Sequence, residues 1–511
     1  MRNGERRSGA RSASTKGPDL RALGRRGPVH FVGVAGAGVS ALAELVLHAG
    51  GRVTGCDLRP GAVGERLAAA GATVYRGHDA GHVDDAVALV ATSAVPAHHP
   101  ELEAARRRGI PVLKRAEALG ALVNPGRVIA VAGTHGKTTT TAMTTAILAE
   151  AGLDPTAFVG GRVPGWGGGL RTGSDRLFVV EADEYDRSFW TLEPEVAIVT
   201  TLEADHVDVY GSVDEVEAAF LRFLEPVPSD GLVVACADDP GARRLLEAVA
   251  DRPATAYGMG AQATLRAVDP RAEGHGTRFR VEERGVRVGE LTVTVPGEHN
   301  VRNALAAWAA AQHAGAAFDD AVRALESFQG VARRFEVLGL AADVLVVDDY
   351  AHHPTEIEAT LGAARRTHGD RRLVAVFQPH LYSRTRAFAD AFGRALGRAD
   401  VIWVTDVYPA RETPIPGVTG ELVARAAREA GASEVRYEPA RDEVAGAVLE
   451  GLRPGDLCIT LGAGDVDAVG RAVLRALEAR EGRGDGPDAL GASVEETAAR
   501  EDRADRAGGG S

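Results

Sequence analysis

Between Val128 and Thr140 the chain reads Val-Ile-Ala-Val-Ala-Gly-Thr-His-Gly-Lys-Thr-Thr-Thr. An apolar run suited to a buried strand meets a glycine-rich turn, and a helix-compatible stretch follows. Backbone N–H groups of such a turn can close around phosphate oxygens, and a helix N-terminus adds a favourable dipole. The reading sets Gly133, Thr134, His135, Gly136, Lys137, Thr138 and Thr139 against a nucleotide's phosphates. Lys137 would neutralise the β/γ charge and the Thr138 hydroxyl would sit on Mg²⁺. The loop is the short form, Gly-x-x-Gly-Lys-Thr, because Val131 stands where the longer form has its first glycine. Lys137 is also one of only three lysines, with Lys16 and Lys114.

A second apolar run, Phe178–Val180, ends in Glu181, Asp183, Glu184 and Asp186. Four carboxylates at one strand end repel unless a cation sits among them, which points to Mg²⁺ carried with ATP. Val196–Thr201 runs likewise into Glu203, Asp205, His206 and Asp208. Near the N-terminus, His30–Ser40 sets Gly33, Gly36 and Gly38 after a strand and before a helix, with Ala35 in place of the middle glycine of a dinucleotide fingerprint. Asp57 ends the next strand, where an acid can hold a ribose hydroxyl. This pattern fits NAD, FAD or a nucleotide-sugar diphosphate equally. Asn300 and Asn303 share a helix face at i and i+3 and suit either an adenine edge or capping. Arg333 and Arg334 are adjacent, and polar bursts follow at Asp348–Thr355 and His380–Arg386.

Strands and helices must alternate to present these segments. Val29–Val34, Arg52–Asp57, Arg127–Ala132, Leu177–Glu181 and Val196–Thr201 read as strands, with helices over Gly38–Ala49 and Lys137–Ala151. That alternation predicts an α/β protein of parallel sheets covered by helices. Residues 262–295 read instead as glycine-punctuated antiparallel strands, followed by a helix over 300–314. A further α/β pattern begins near 330, with strands Val344–Asp348, Leu373–Phe377, Val401–Thr405 and Leu457–Leu461. With 511 residues, two to four domains are expected. The net charge of −13 argues against a nucleic-acid partner. The apolar region 29–50 is broken by glycines and predicts no membrane insertion. Cys56, Cys236 and Cys458 are far apart and odd in number, which fits a reducing cytoplasm better than a disulfide framework. Residues 1–27, with six positive charges in excess, and 480–511, rich in Gly, Asp, Glu and Arg, read as disordered tails.

Together these segments resemble the ATP-dependent Mur ligases of peptidoglycan synthesis over about residues 28–478, in order and with consistent spacing. His30–Ser40, Asp349–Thr355 and Gln378–Thr385 resemble the branch that acts on UDP-N-acetylmuramate and L-alanine. The resemblance implies a Rossmann-like UDP-sugar domain at 28–124, a central P-loop-type ATP domain at 125–329, and a Rossmann-like amino-acid domain at 330–479. It implies catalytic roles for Lys137, Glu181, His206, Arg334 and Asp349, metal contacts from Thr138, Glu181 and His206, and ATP contacts from Asn300, Asn303 and Arg334. Gly33, Gly36, Gly38, Ser40, Asp57 and Ser93 would hold the UDP-sugar, and His352 and Arg384 the amino acid. It further implies ATP and Mg²⁺ as cofactors, a cytoplasmic bacterial enzyme of cell-wall synthesis, and a monomer or weak homodimer. Leu381 stands where some relatives carry an arginine, which puts more weight on Arg384. Residues 164–173 are unusually glycine-rich where relatives place a substrate-binding loop. A muropeptide-recycling ligase is the nearest rival reading. A nicotinamide-dependent dehydrogenase would leave Gly133–Thr140 unexplained, and a P-loop switch would leave His380–Arg386 unexplained.

Overall fold

The computed structural model describes residues 18–483, apart from 93, 94, 97, 204–209, 211 and 411. His206 and Ser93 therefore lie outside the described residues. The fold is α/β and carries three sheets.

The first sheet contains β1 (Pro28–Val32), β2 (Arg52–Asp57), β3 (Thr73–Arg76), β4 (Ala88–Ala91) and β5 (Val112–Lys114). Its order is β3-β2-β1-β4-β5, and every pairing is parallel. Helices α1 (Leu20–Arg26), α2 (Ala37–His48), α3 (Gly61–Ala69), α4 (Pro100–Arg107) and α5 (Arg115–Val123) accompany it. The strand order turns outward on both sides of β1, so the loop after β1 lies at a topological switch point, where α/β sheets bind ligands.

The second sheet is built on β6 (Arg127–Ala132), β7 (Thr156–Val163), β8 (Gly168–Arg171), β9 (Leu177–Glu181), β10 (Val196–Val199), β11 (Leu232–Cys236) and β12 (Ala254–Gly258). The order β12-β11-β10-β6-β9-β7-β8 is parallel except for the β7–β8 hairpin. The glycine-rich stretch 164–173 forms the turn and second strand of that hairpin. Strands β13 (Leu265–Glu273), β14 (Gly276–Glu283) and β15 (Val286–Val293) complete the strand order beyond β12. Helices α6 (Lys137–Glu150), α7 (Val213–Leu224), α8 (Pro240–Ala248), α9 (Glu298–Ala314) and α10 (Phe318–Glu326) belong to this stretch of chain.

The third sheet holds β16 (Glu336–Ala341), β17 (Val344–Asp349), β18 (Arg372–Phe377), β19 (Val401–Val404), β20 (Val435–Tyr437) and β21 (Asp456–Leu461), in the order β16-β17-β21-β18-β19-β20. Only β16 runs antiparallel. Helices α11 (Pro354–Thr367), α12 (Tyr382–Leu396), α13 (Glu421–Glu429), α14 (Arg441–Gly451) and α15 (Asp467–Arg483) cover it. Val347, Ala375, Ile402 and Ile459 face one apolar layer, and Val346, Val374, Trp403 and Cys458 the other. Burial on both faces is why these strands read as continuous apolar runs rather than alternating ones.

The chain divides into two compact units. One takes the residues up to 268 with 281–289 and 302–325; the other takes 269–280, 290–301 and the residues from 326. The division passes through β13, β14, β15 and α9. The first two sheets share a unit for visible reasons. Asn124 Nδ2 donates to Thr191 O at 2.9 Å, and Thr191 Oγ1 donates to Ala116 O at 2.9 Å.

Both expected tails need correction where they meet the fold. Residues 20–26, read as part of a disordered basic arm, form α1, and residues 480–483 are the end of α15. Asp19 caps α1 by accepting the N–H of Ala22, and Leu20 is wholly buried. Arg21 donates to Leu122 O at 2.7 Å, and its guanidinium lies 5.2 Å from the centre of the Phe178 ring. Two leucines among three arginines gave little apolar periodicity, yet Arg21 docks rather than solvates. Leu20→Ala is expected to cost about 2–4 kcal/mol through the cavity it leaves; urea unfolding followed by far-UV circular dichroism measures it.

Candidate active site

The phosphate-type loop joins β6 to α6. Gly136 caps α6 with φ of 82°, and a Cβ there would lie 2.6 Å from Asn303 Oδ1. Glycine thus answers both the left-handed backbone and the close approach of the Asn303 amide. At Gly133, with φ of 130°, a Cβ would press on Thr200 more closely still. The Thr200 hydroxyl donates to the carbonyl of His135, and the His135 N–H donates to Thr201 Oγ1 at 3.1 Å, so the end of β10 shapes the loop.

Helix α6 begins Lys-Thr-Thr-Thr-Thr, a weak helix-forming sequence. It holds because the hydroxyls are consumed inside it. Thr141, Thr144 and Thr145 each donate to the carbonyl four residues back, at 2.8, 2.7 and 2.7 Å. The helix therefore buries Thr141, Thr144 and Thr145 with their polar atoms satisfied, while the Thr140 hydroxyl is buried without a partner.

Lys137 Nζ donates to Gly133 O at 2.6 Å and to Glu184 Oε1 at 2.9 Å. Burial opposes its charge, but the carboxylates of Glu184, Asp183 and Glu181 outweigh that effect and raise the pKa of the ammonium group. Thr138 Oγ1 donates to Glu181 Oε1 at 3.0 Å, and Gly160 N donates to Glu181 Oε2 at 2.6 Å. The end of β9 thus delivers Glu181 between the phosphate-type loop and the glycine-rich β7–β8 hairpin. Thr138 and Glu181 make a hard oxygen donor pair of the kind Mg²⁺ takes. Glu184 has a larger part than the sequence reading gave it; its backbone carbonyl also accepts from Tyr210 Oη at 2.7 Å. The density of acids after β9 was the available signal.

Around β1, Gly33 N and Val34 N donate to Cys56 O at 2.8 and 3.0 Å. Asp57 Oδ2 accepts from Ala35 N at 3.2 Å, and Oδ1 from Arg59 N at 2.9 Å. Asp57 therefore ties the fingerprint loop to the end of β2, and a ribose hydroxyl would be an added partner. Gly36 caps α2, Ser40 is buried in its first turns, and Arg115 lies against Gly38, close enough to touch a Cβ placed there. The sequence reading did not single out Arg115. A cavity of about 280 Å³ runs from Gly38 and Arg115 past Gly160 to Glu181, Asp183 and Phe189. It joins the helix N-terminus of the first sheet to the carboxylates of the second.

The second unit presents its own polar cluster at the end of β17. Asp349 is buried; it accepts from Phe335 N at 2.7 Å and Ala351 N at 2.8 Å. Burial raises its carboxyl to about 6, against the lowering pull of Arg334 and these N–H groups. The two adjacent arginines differ. Arg333 is structural, donating to Asp348 Oδ2, Gly464 O and Gly462 O at 3.1, 2.9 and 2.6 Å. Arg334 lies 5.3 Å from the Tyr350 ring centre and 3.5 Å from Glu356. Glu356 also accepts from His352 N at 3.0 Å, and its carboxylate lies 3.2 Å from the His352 ring. It is a second residue the sequence reading passed over, although His-Pro-Thr-Glu is a helix-start pattern.

The His352 ring meets that of His380 edge-on at 5.9 Å, and His380 stacks on Tyr408. Arg384 follows, buried in the first turn of α12. Leu381 caps that helix at φ 69°, held by its N–H to Tyr408 O at 3.0 Å. Asn300 lies in the first turn of α9 and donates an amide N–H to Pro296 O at 2.7 Å, which ties the helix to the segment before it. Asn303, one turn on, is the amide set against Gly136.

Comparison with known proteins matches three family descriptions in order: the Mur ligase family catalytic domain at residues 28–127, the Mur ligase middle domain at 131–311, and the Mur ligase glutamate ligase domain at 333–464. The UDP-N-acetylmuramate–L-alanine ligase of Salinibacter ruber is 47% identical over 458 residues, covering 89% of this chain and 96% of that protein. Its counterpart from a Geobacter species is 45% identical, covering 88% and 98%. Among solved structures, the UDP-N-acetylmuramate–alanine ligase of Thermotoga maritima superposes with a TM-score of 0.75 at 28% identity, covering 89% of this chain and 99% of that one. A murein peptide ligase of Psychrobacter arcticus gives 0.64 at 27%, covering 88% and 99%. Nearly half its residues are shared with the Salinibacter protein along almost the full length of both, and the chain belongs to the Mur ligase family.

Proposed function

We propose that this chain is an ATP-dependent ligase that joins L-alanine to the lactyl carboxylate of UDP-N-acetylmuramate, in bacterial peptidoglycan synthesis in the cytoplasm. The observation that carries the reading is the cavity linking Gly38 and Arg115 to Glu181, the carboxylate that accepts from Thr138 Oγ1 of the phosphate-type loop. It has an anion-binding helix start at one end and, at the other, the carboxylate bonded to the phosphate-type loop.

A carboxylate does not condense with an amine near neutral pH, because oxide is the leaving group. In the first step a lactyl carboxylate oxygen attacks the γ-phosphorus of ATP, and ADP leaves. In the second the alanine amine attacks the acyl carbon, loses a proton, and inorganic phosphate leaves. Positioning and charge neutralisation supply most of such catalysis. Arg115 and the start of α2 would hold the sugar nucleotide's diphosphate. Lys137 and the N–H groups opening α6 would take the triphosphate charge, Lys137 leaving Glu184 to do so. Thr138 and Glu181 would hold Mg²⁺, which supplies further neutralisation when bound. Asn303 is assigned to the ATP end as well. Arg334 and Asp349 are assigned to the ATP-consuming step, and His352 and Arg384 to the alanine carboxylate.

Phosphate release from Mg-ATP is expected only when UDP-N-acetylmuramate and L-alanine are both present. Release with a tripeptide in place of L-alanine would move the chain to the recycling reaction, and release with no pair would sink the reading. Lys137→Met should lower kcat about a hundredfold or more. It also removes the cation beside buried Glu184, so the double variant Lys137→Met/Glu184→Gln separates lost chemistry from lost folding. In both, calorimetry should find UDP-N-acetylmuramate binding nearly unchanged.

Asp349 gives a pH prediction. Its folded value of about 6 lies above the roughly 3.9 of an unfolded aspartate. The folded state therefore holds this proton more tightly. That contribution is fully present below about pH 4 and is lost as pH rises through 6. Asp349→Asn should shrink the stability difference between pH 5 and 7.5 by about 1 kcal/mol, read by denaturant unfolding at each pH.

A further inference from the structure

We propose that His30, Cys56, His78 and Glu101 form a binding site for one zinc-class cation within the first sheet, separate from the ATP machinery. His30 lies on β1, Cys56 near the end of β2, His78 just after β3, and Glu101 in the first turn of α4. His30, Cys56 and Glu101 are wholly buried. Cys56 Sγ lies 2.9 Å from Glu101 Oε2 and 3.2 Å from His78 Nδ1. Glu101 Oε2 lies 3.7 Å from both His30 Nε2 and His78 Nδ1.

The two 3.7 Å separations have the size a coordination shell requires, while the 2.9 and 3.2 Å contacts at Cys56 are hydrogen-bond distances that would open slightly as the thiol proton leaves. Zinc bonds of about 2.0–2.3 Å, tetrahedrally arranged, set neighbouring ligand atoms about 3.3–3.8 Å apart. His30 Nδ1 is engaged by Thr54 Oγ1 at 2.9 Å, which turns Nε2 inward. A second partner of that kind is how proteins orient a metal-bound histidine. His30 Nε2 is buried without a hydrogen-bond partner, as are both ring nitrogens of His99, whose Nδ1 lies 3.8 Å from Glu101 Oε2. Buried polar atoms are ordinarily satisfied, so these nitrogens point to a missing partner.

The charges balance as well. Binding displaces the Cys56 thiol proton to solvent, and the dication then meets one thiolate and one carboxylate, leaving a neutral buried centre. A sulfur–nitrogen–carboxylate set selects zinc or cobalt over magnesium, unlike the all-oxygen pair Thr138 and Glu181. The site also has a structural reach. The Cys56 carbonyl accepts the N–H groups of Gly33 and Val34, so a cation on its side chain would stiffen the fingerprint loop.

The test is Co²⁺ titration of the metal-free full-length chain, with Mg²⁺ in excess to saturate oxygen-only sites. One equivalent should bind, with the visible bands of tetrahedral cobalt and a thiolate-to-cobalt charge-transfer band, and Zn²⁺ should displace it one for one. Cys56→Ser should abolish the charge-transfer band and weaken binding at least tenfold. The same band persisting in Cys56→Ser would assign it to Cys236 or Cys458 and overturn the proposal, as would a wild-type chain showing no such band. Should Cys56→Ser not fold, His78→Asn, on a loop, must also weaken binding at least tenfold. Unchanged cobalt affinity in that variant would overturn the site.

Discussion

A buried lysine at the head of a helix sets the terms for the first unit. Lys137 cannot be sequestered without an anion beside it, and the chain supplies Glu184 at 2.9 Å together with the Gly133 carbonyl. Removing either partner leaves an uncompensated buried charge, which costs far more than the pair itself contributes. That requirement accounts for much of the surrounding design. The carboxylates must arrive from β9, a neighbour of β6 in the sheet. The loop must be glycine where it presses on Thr200 and Asn303. Helix α6 is buried from its second residue through Thr145, which explains why Thr141, Thr144 and Thr145 bond back to their own helix.

The same logic recurs in the second unit with the sign reversed. There the buried charge is negative. Asp349 sits at the end of β17 among backbone N–H groups, with Arg334 as its cationic influence. Asp348, its neighbour, is tied to Arg333 and Thr460. Two adjacent acids and two adjacent arginines thus have different work: Asp348 and Arg333 fasten the end of the third sheet, which leaves the polar cluster around Asp349, Arg334 and Glu356 to be placed by it. Parallel strands make this economical, since each delivers its terminal residues to the same edge of the sheet.

Much of this was legible in the sequence, for identifiable reasons. Strands buried on both faces announce themselves as apolar runs, so β6, β9, β10, β17, β18 and β21 were read to within a residue or two. The glycine loop and the acids after β9 are local patterns with strong chemistry, and the structure brings Lys137, Thr138 and Glu181 together. Other features depend on residues distant in the chain. Arg115 matters because it lies against Gly38, and no spacing rule connects the two. Helix α1 is short and arginine-rich, and its burial depends on Leu122 and Phe178. Asn300 and Asn303 look equivalent by periodicity, yet one amide is spent on Pro296 and the other approaches Gly136. The grouping of the first two sheets into one compact unit rests on side-chain bonds such as Asn124 to Thr191, which composition does not reveal.

Leu381 carries a consequence for how this protein can vary. Its φ of 69° is a conformation that side-chain-bearing residues rarely hold, at a cost of about 1–3 kcal/mol. The bond to Tyr408 O and the turn into α12 keep it there. A branched β-carbon at 381 would crowd this backbone further, while glycine would relieve it and loosen the helix start that carries Arg384. The range of substitutions open to this corner of the molecule is therefore narrowed by main-chain geometry before any ligand exerts a preference, and drift at 381 should run along side chains unbranched at Cβ.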